Sequence, residues 1–305
     1  MPYPDAVRDL GRDRAQALWR LSERTLDTIE SLAGDALRRI GSLKLAADDE
    51  ELAELRLEAD ALAEDGFDVE WLDELPPVLA DAFPGGFRHP TDGALHPSRW
   101  VCRLASRAAA AGVEIHEHSR VESIDDLDVP NVVLATDGYT HGLVPELDAA
   151  IRPTRGQVLV TEPLADELFP APHYARRGYD YWQQLPDRRL VYGGKRDAAV
   201  DEEWTAEEAV TNRVQQRLEE AVERLTGAPP AVEQRWCGIW GATADQLPMA
   251  GRVPDHDGVW VAAGYSGHGN VLGFACGVLL ARAISGDEAP ELELFDPARL
   301  LAPSA

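Results

Sequence analysis

The stretch Val259-Trp260-Val261-Ala262-Ala263-Gly264-Tyr265-Ser266-Gly267-His268-Gly269-Asn270, followed by an apolar run to Ile284, decides the fold. Its opening apolar residues read as a strand buried on both faces, the kind found inside a parallel sheet. Gly264, Gly267 and Gly269 then make a bend nearly free of side chains, and residues 271–284 read as a helix. Such a bend lets backbone approach a flat or anionic ligand, and the helix start offers unpaired N–H donors at the positive end of its dipole. Gly273 and Gly277 lie one helical turn apart, so this helix is expected to press closely on a neighbouring sheet. From spacing alone, a tight crossover with a packed helix fits the same residues equally well.

Outward from this turn the chain keeps an α/β rhythm. Residues 131–135 form a second continuous apolar run. An Ala-rich helix opens at His96-Pro97-Ser98 and stops at Gly112, and residues 113–117 read as a strand. Near the start, Val7, Leu10, Leu18, Leu21, Ile29 and Leu32 recur at helical spacing, predicting a long helix or a helix pair. Residues 41–46 read as a strand. Asp48-Asp49-Glu50-Glu51 is a capping box for a helix that buries Leu52, Leu55, Ala59 and Leu62 and stops at Gly66, and residues 67–72 alternate like a half-buried strand. Residues 85–92, rich in Gly, Pro and His, read as a crossover between sub-domains.

Residues 152–240 have a different character. Residues 157–161 read as a strand, and residues 179–185 and 190–194 flank the turn Pro186-Asp187-Arg188-Arg189 as an antiparallel hairpin. A second capping box, residues 205–208, is expected to open a helix with Val210, Val214, Leu218 and Leu225 inward and Gly227 as its stop. The acidic clusters at residues 48–51, 125–126 and 201–203 read as solvated helix starts and loops.

Composition bounds the partners. The 305 residues are 45% apolar, enough for one large or two modest domains with a substantial core. Acidic side chains number 54 against 29 basic ones, for a net charge of -25. A surface so acidic repels phosphate backbones and anionic lipid, which argues against nucleic acid and membrane partners. Cys102, Cys237 and Cys276 are far apart and show no metal-ligand spacing, so neither a disulfide framework nor a metal site is expected. The apolar run of residues 271–284 is too short for a bilayer and contains Arg282, and residues 1–5 lack the features of a secretion signal. A cytoplasmic setting is the expectation.

The glycine turn, Gly-Tyr-Ser-Gly-His-Gly after an apolar strand, resembles the C-terminal flavin motif of the D-amino-acid oxidase superfamily, which includes glycine, sarcosine and γ-glutamylputrescine oxidases. Three further stretches follow in the family's order. Residues 131–140 (NVVLATDGYT) resemble its strand and A-T-x-G-x turn beside the cofactor pyrophosphate. Residues 152–157 (RPTRGQ) resemble its entry to the substrate domain. Thr243, Asp245, Pro248 and Gly251 resemble its T-x-D-x-x-P-x-x-G segment. Together these stretches span nearly the whole chain.

The resemblance implies an α/β, FAD/NAD(P)-binding three-layer domain, residues 1–35, 86–151 and 241–305. An α+β substrate domain of mixed antiparallel sheet would take residues 36–85 and 152–240. It implies FAD as cofactor, with Val121, Ala135, Thr136, Gly138, Gly264, Ser266, Gly267, His268, Gly269, Asn270 and Val271 binding it. The implied reaction is oxidation of the C–N bond of a small-molecule amine or amino acid by hydride transfer to flavin N5, followed by hydrolysis of the imine. An FAD-linked dehydrogenase of the same fold using an acceptor other than oxygen, and a truncated remnant without catalysis, are the alternatives.

The chain departs from the family in two places. The family opens with a strand and G-x-G-x-x-G roughly fifty residues upstream of this chain's start. Gly85-Gly86 and Gly193-Gly194 do not substitute for it, so the sequence reads as a flavin domain lacking its first βαβ unit, through a misplaced start codon or a truncated gene. Where α-amino-acid members carry a carboxylate-binding Arg, this sequence carries Trp240. An aromatic wall there suits an amine better than a carboxylate, although Arg235, Arg155 or Arg196 could reach in from elsewhere.

Among single residues, His268 is the titratable side chain of the turn, placed to bond flavin or substrate or merely to cap the bend. Tyr265 either faces the substrate or fills the sheet edge. Tyr181, in the hairpin roof, and Lys195, at a strand end, are candidate substrate residues beside Trp240, with packing and a solvated strand end as their plainer readings. Cys237 reads as buried and inert.

Overall fold

The computed structural model describes residues 1–301, which build an eight-stranded sheet, a three-stranded sheet and a two-stranded ribbon. In spatial order the large sheet runs Val232–Ala242, Arg152–Pro163, Arg189–Gly194, Asp180–Gln184, His173–Ala175, Ser42–Leu45, Gly86–His89 and Glu70–Leu72. Every neighbouring pair is antiparallel except Ser42–Leu45 with His173–Ala175. The hairpin forms as predicted, with Leu190 opposite Gln184. The stretch read as a crossover, residues 85–92, contributes a strand, Gly86–His89.

Alternation along the strands gives this sheet two unlike faces. Leu159, Trp182, Leu190 and Tyr192 are buried on one, where helix Asn212–Thr226 lays Val214, Leu218 and Val222 over them. Each such burial contributes about 1.5–3 kcal/mol. On the other face, register places Lys44 beside Tyr174, Tyr174 beside Tyr181, Tyr181 beside Gly193, and Trp240 beside Thr154. Tyr174 and Tyr181 remain 39% and 38% exposed, so this part of the second face is an open wall, while farther along it Phe87, opposite Lys44, is buried with Leu55, Ala59 and Leu62.

The helix expected from residue 205 starts at Asn212. Thr205 Oγ1 accepts the Glu207 N–H at 3.0 Å in a local turn that competes with a helix start. Gln157 then fixes the true entry: its Oε1 accepts the Thr211 N–H and its Nε2 donates to Thr211 Oγ1, both at 2.9 Å. Val210, expected inward, is exposed.

In the three-stranded sheet, Val259–Ala263 is central, antiparallel to Met249–Arg252 and parallel to Val132–Leu134. All its residues are buried, as the continuous apolar run requires. Helix Gly269–Ile284 follows and packs Leu272, Cys276 and Leu279 with Leu18 and Leu21 of helix Arg12–Ala33. That helix and Tyr3–Leu10 form a pair broken at Gly11. Gly273 makes room for the Tyr265 ring, whereas Gly277 faces open space, so close packing holds at one of the two glycines.

Two further expectations are corrected. Residues 113–117 form no strand: Val113 and Ile115 are exposed, and among the described residues no strand pairs with them. An extended segment gains nothing without a ladder partner. The acidic clusters are not uniformly solvated, since Glu51 and Glu203 are buried. Asp48 caps helix Asp49–Glu64 as expected, accepting the Glu51 N–H at 2.8 Å. Glu51 in turn accepts backbone N–H groups from Ala47 (2.8 Å) and Arg177 (2.6 Å). Among the described residues, no helix is long and apolar enough to cross a membrane, and no group of three His, Cys, Asp or Glu side chains is placed to hold a metal ion.

Candidate functional site

The glycine turn is held from three sides by one carboxylate. Asp137, in the turn after strand Val132–Leu134, accepts the N–H groups of Gly264 (2.9 Å) and Tyr265 (3.2 Å) at Oδ1 and that of Gly241 (3.0 Å) at Oδ2. It thereby ties both sheets together at the end of strand Val232–Ala242. Sequence reasoning named Ala135, Thr136 and Gly138 around it and passed over Asp137 itself. The available signal was its left-handed conformation (φ 44°), which a short hydrogen-bonding side chain tolerates.

Sterics restrict the same junction. At Gly264, φ is +74°, and a Cβ would stand 2.6 Å from Thr243 Cγ2. At Gly138 a Cβ would press within 2.7 Å of the Trp240 backbone. Ser266 completes the docking: its N–H donates to the Gly241 carbonyl at 2.8 Å, and its Oγ accepts the Thr243 N–H at 3.2 Å.

Beyond this anchor the turn is open. Gly267, His268, Gly269 and Asn270 are exposed, and nothing lies within 4 Å of where a Gly267 Cβ would be. Helix Gly269–Ile284 starts without a side-chain cap, so the amide donors of its first turn face outward. Val271 is half-buried. This uncapped, side-chain-free start fits the electron-rich edge of a flat ring such as a flavin.

His268 Nδ1 lies 3.2 Å from the Ser266 carbonyl oxygen. A carbonyl can only accept, so that contact puts the proton on Nδ1 and leaves Nε2 as an acceptor. Lost hydration, with a smaller push from the positive charge of the amino terminus and then of Lys44, lowers the imidazole below its ordinary value. Solvent still reaches the ring, and Lys44 itself is paired with Glu58 at 2.6 Å. Tyr181, on the same sheet face as Lys44, has its phenol pushed up to about 12 by lost hydration and a nearby Tyr174.

The remaining candidates divide. Trp240 stands beside Tyr181 on the open sheet face, its indole Nε1 3.4 Å from where a Gly156 Cβ would be, with Tyr181 Oη 3.7 Å from the same point. Tyr265 turns its hydroxyl to the Ala262 carbonyl (2.7 Å) and lays its ring along Gly269 and Gly273, a packing role. Lys195 is buried, not solvated, and its ammonium pairs with Asp180 at 2.7 Å. Asp180 alternates with Tyr181, so this pair lies on the packed side of the sheet. Thr136 shares a hydrogen bond with Thr140 (2.5 Å), Ala135 is exposed at the strand end, and Val121 is exposed in an irregular stretch. Cys237 is half-buried. A cavity of about 560 Å³ lies on the opposite side of the large sheet, against Leu43, Leu79 and His173, and touches none of these candidates.

The RPTRGQ stretch proves to be scaffold. Arg155 and Glu203 meet as a two-pronged pair, Nε to Oε2 and Nη2 to Oε1, both at 2.9 Å and both side chains nearly sealed from solvent. Gln157 Nε2 also donates to Glu203 Oε1 at 2.9 Å.

The family model described as FAD dependent oxidoreductase (DAO) matches residues 4–283. The chain is 25% identical over 325 aligned positions to a probable oxidoreductase OrdL of Haemophilus influenzae, spanning 95% of this chain and 72% of that protein. It is 27% identical to a glycine oxidase of Geobacillus kaustophilus, spanning 81% of this chain and 70% of that one. The crystal structure of glycine oxidase from Geobacillus kaustophilus superposes with a TM-score of 0.77 at 22% identity, covering 95% of this chain and 83% of that chain. That of L-proline dehydrogenase from P. horikoshii gives 0.76 at 20% identity, covering 93% and 82%. The structural likenesses concern the fold.

Proposed function

The chain belongs to the DAO family of FAD-dependent oxidoreductases, and from that membership we propose that it oxidises the C–N bond of a small amine or amino acid at the open glycine turn, with the exposed aromatic sheet face beside it. One observation carries the reading: the uncapped, exposed start of helix Gly269–Ile284, anchored from behind by Asp137.

When bound, FAD would supply a ring able to take a hydride from the substrate carbon at N5. The chain's own part is electrostatic and positional. The amides from Gly267 to Val271 present partial positive charge where negative charge gathers as the ring is reduced, and Asp137 fixes them beforehand, so no reorganisation is needed at the moment of transfer. His268, with Nε2 unprotonated, is placed to take a proton from the substrate nitrogen. Tyr181 and Trp240, neighbours on the open sheet face, would give the substrate an aromatic wall that displaces water from the reacting carbon. The glycine oxidase relative supports a small amino compound as substrate.

The test is to saturate the protein with FAD, exclude oxygen, and add amines and amino acids in turn. The yellow flavin band is expected to bleach with at least one of them. Persistence of the band with every member of a broad panel would overturn the reading. Readmitting oxygen and measuring peroxide, against reduction of a dye, then identifies the electron acceptor.

A further inference from the structure

One row of residues crosses the packed side of the large sheet and changes character from end to end. Register sets Glu70 opposite Arg88, Arg88 opposite Leu43, Leu43 opposite His173 and His173 opposite Trp182. Above Arg88, Leu43 and His173 lies the cavity of about 560 Å³, walled by Leu72, Leu75, Leu79 and Leu168. Sites for small ligands typically hold roughly 300–1,000 Å³ and combine apolar walls with a few polar groups, and this cavity has both properties. Neighbouring strands stand about 4.8 Å apart, so the row from Arg88 to His173 is about 10 Å long, room for an elongated molecule lying across the strands.

The two ends of the cavity differ in charge. His173 is 5% exposed and stacks flat on Trp182, with ring centres 4.7 Å apart. Burial brings its imidazole down to about 4, so this inner end is uncharged at neutral pH. The outer end is acidic. Arg88 is already engaged, giving Nη1 to Glu70 at 2.9 Å and Nη2 to the Ile40 carbonyl at 3.3 Å. Glu74 stands on the same rim, exposed to solvent, and makes no ion pair or hydrogen bond among the described residues. Two acids against one base leave the rim with negative charge to spare.

We infer that this cavity is a second ligand site, one that takes an amphipathic amine with its ammonium at Glu74, its hydrocarbon body along the leucines and its far end against His173. Covering the leucines supplies most of the attraction, since apolar area leaves water there. The charged head stays at the rim, where it keeps its hydration, and so avoids the cost of burying an ion. A carboxylate head would instead meet Glu70 and Glu74 together. Strand alternation places His173 on the side of the sheet away from Tyr174 and Tyr181, so the site is separate from the glycine turn and its aromatic wall. The inference does not rest on the oxidoreductase reading.

The experiment is a titration of the full chain, labelled at histidine, with octylamine, octanol and octanoate at physiological salt, where distant surface charge is screened. It is followed by the imidazole resonances of His173, assigned by their loss in His173→Gln. Octylamine is expected to shift them saturably, octanol to bind more weakly and octanoate most weakly of the three. Glu74→Lys, a change at an exposed position, should weaken octylamine about tenfold and leave octanol unchanged. Ala171→Leu, which adds bulk to the cavity wall, should weaken all three. No shift at His173 with octylamine, octanoate binding as tightly as octylamine, or unchanged octylamine affinity in Glu74→Lys overturns the assignment. The two readings fail separately. Glu74-dependent binding in a protein whose flavin no amine reduces leaves this site standing and removes the oxidase. Flavin bleaching by amines with no response at His173 does the reverse.

Discussion

Glu203→Gln is expected to lower unfolding stability by about 3–5 kcal/mol, the range for breaking one partner of a buried ion pair. The substitution preserves shape and removes one charge. Arg155 is 3% exposed and Glu203 1%, so solvent cannot replace what is lost. The guanidinium keeps its bonds to the carbonyls of Glu202 and Glu207 but loses its only carboxylate among the described residues. Glu203 Oε1 also accepts from Gln157, whose own bonds set the entry of helix Asn212–Thr226. The damage should therefore reach the helix that covers the large sheet. Urea unfolding monitored by circular dichroism measures it. Replacing both members with methionine should recover much of the loss, because apolar substitutes for a buried pair are often neutral or better. A Glu203→Gln protein as stable as the wild type would show that the pair is not the clamp described here.

Asp137→Ala should cost about 3 kcal/mol of stability and also weaken FAD binding. It orphans the amides of Gly241, Gly264 and Tyr265 together and leaves an alanine in a left-handed conformation it disfavours. Asp137→Asn is the informative partner. Asparagine tolerates that backbone and retains one acceptor oxygen, enough for the Gly264 and Tyr265 amides, so about half the loss is expected. Thermal melting and FAD titration of both variants check the order wild type, Asn, Ala. Equal behaviour of the two would mean that the carboxylate does not hold the turn.

What could be read from the sequence and what could not separate along a physical line. Strand Val259–Ala263, the glycine turn and the helix after it were legible because each obeys local rules: continuous apolarity, positive φ at glycine, and an uncapped helix start. The hairpin was legible from its turn residues for the same reason. Glu203 was not, since nothing in an acidic run tells that an arginine 48 positions away will bury one member of it. Asp137 escaped notice because its three partners lie more than 100 positions downstream. Residues 113–117 have the composition of a strand, but a strand exists only with a neighbour to bond. Arg196 was one of three arginines that could reach in, and in the structure it lies against the rings of Tyr179, Trp204 and Trp240, a juxtaposition visible only in the fold.

The assignment stands on the first turn of helix Gly269–Ile284 meeting an electron-accepting ring, and Asn270→Asp tests that most directly. An acidic residue in the first turn of a helix favours the helix itself by about 0.3–1 kcal/mol, so melting should hold or rise slightly. The same charge opposes the negative charge that the turn is built to receive. In a titration with FAD followed by flavin absorbance and fluorescence, the wild type should bind saturably and the variant about tenfold more weakly or worse. An unbound flavin in the wild type, or equal affinity in the two proteins, would contradict the account.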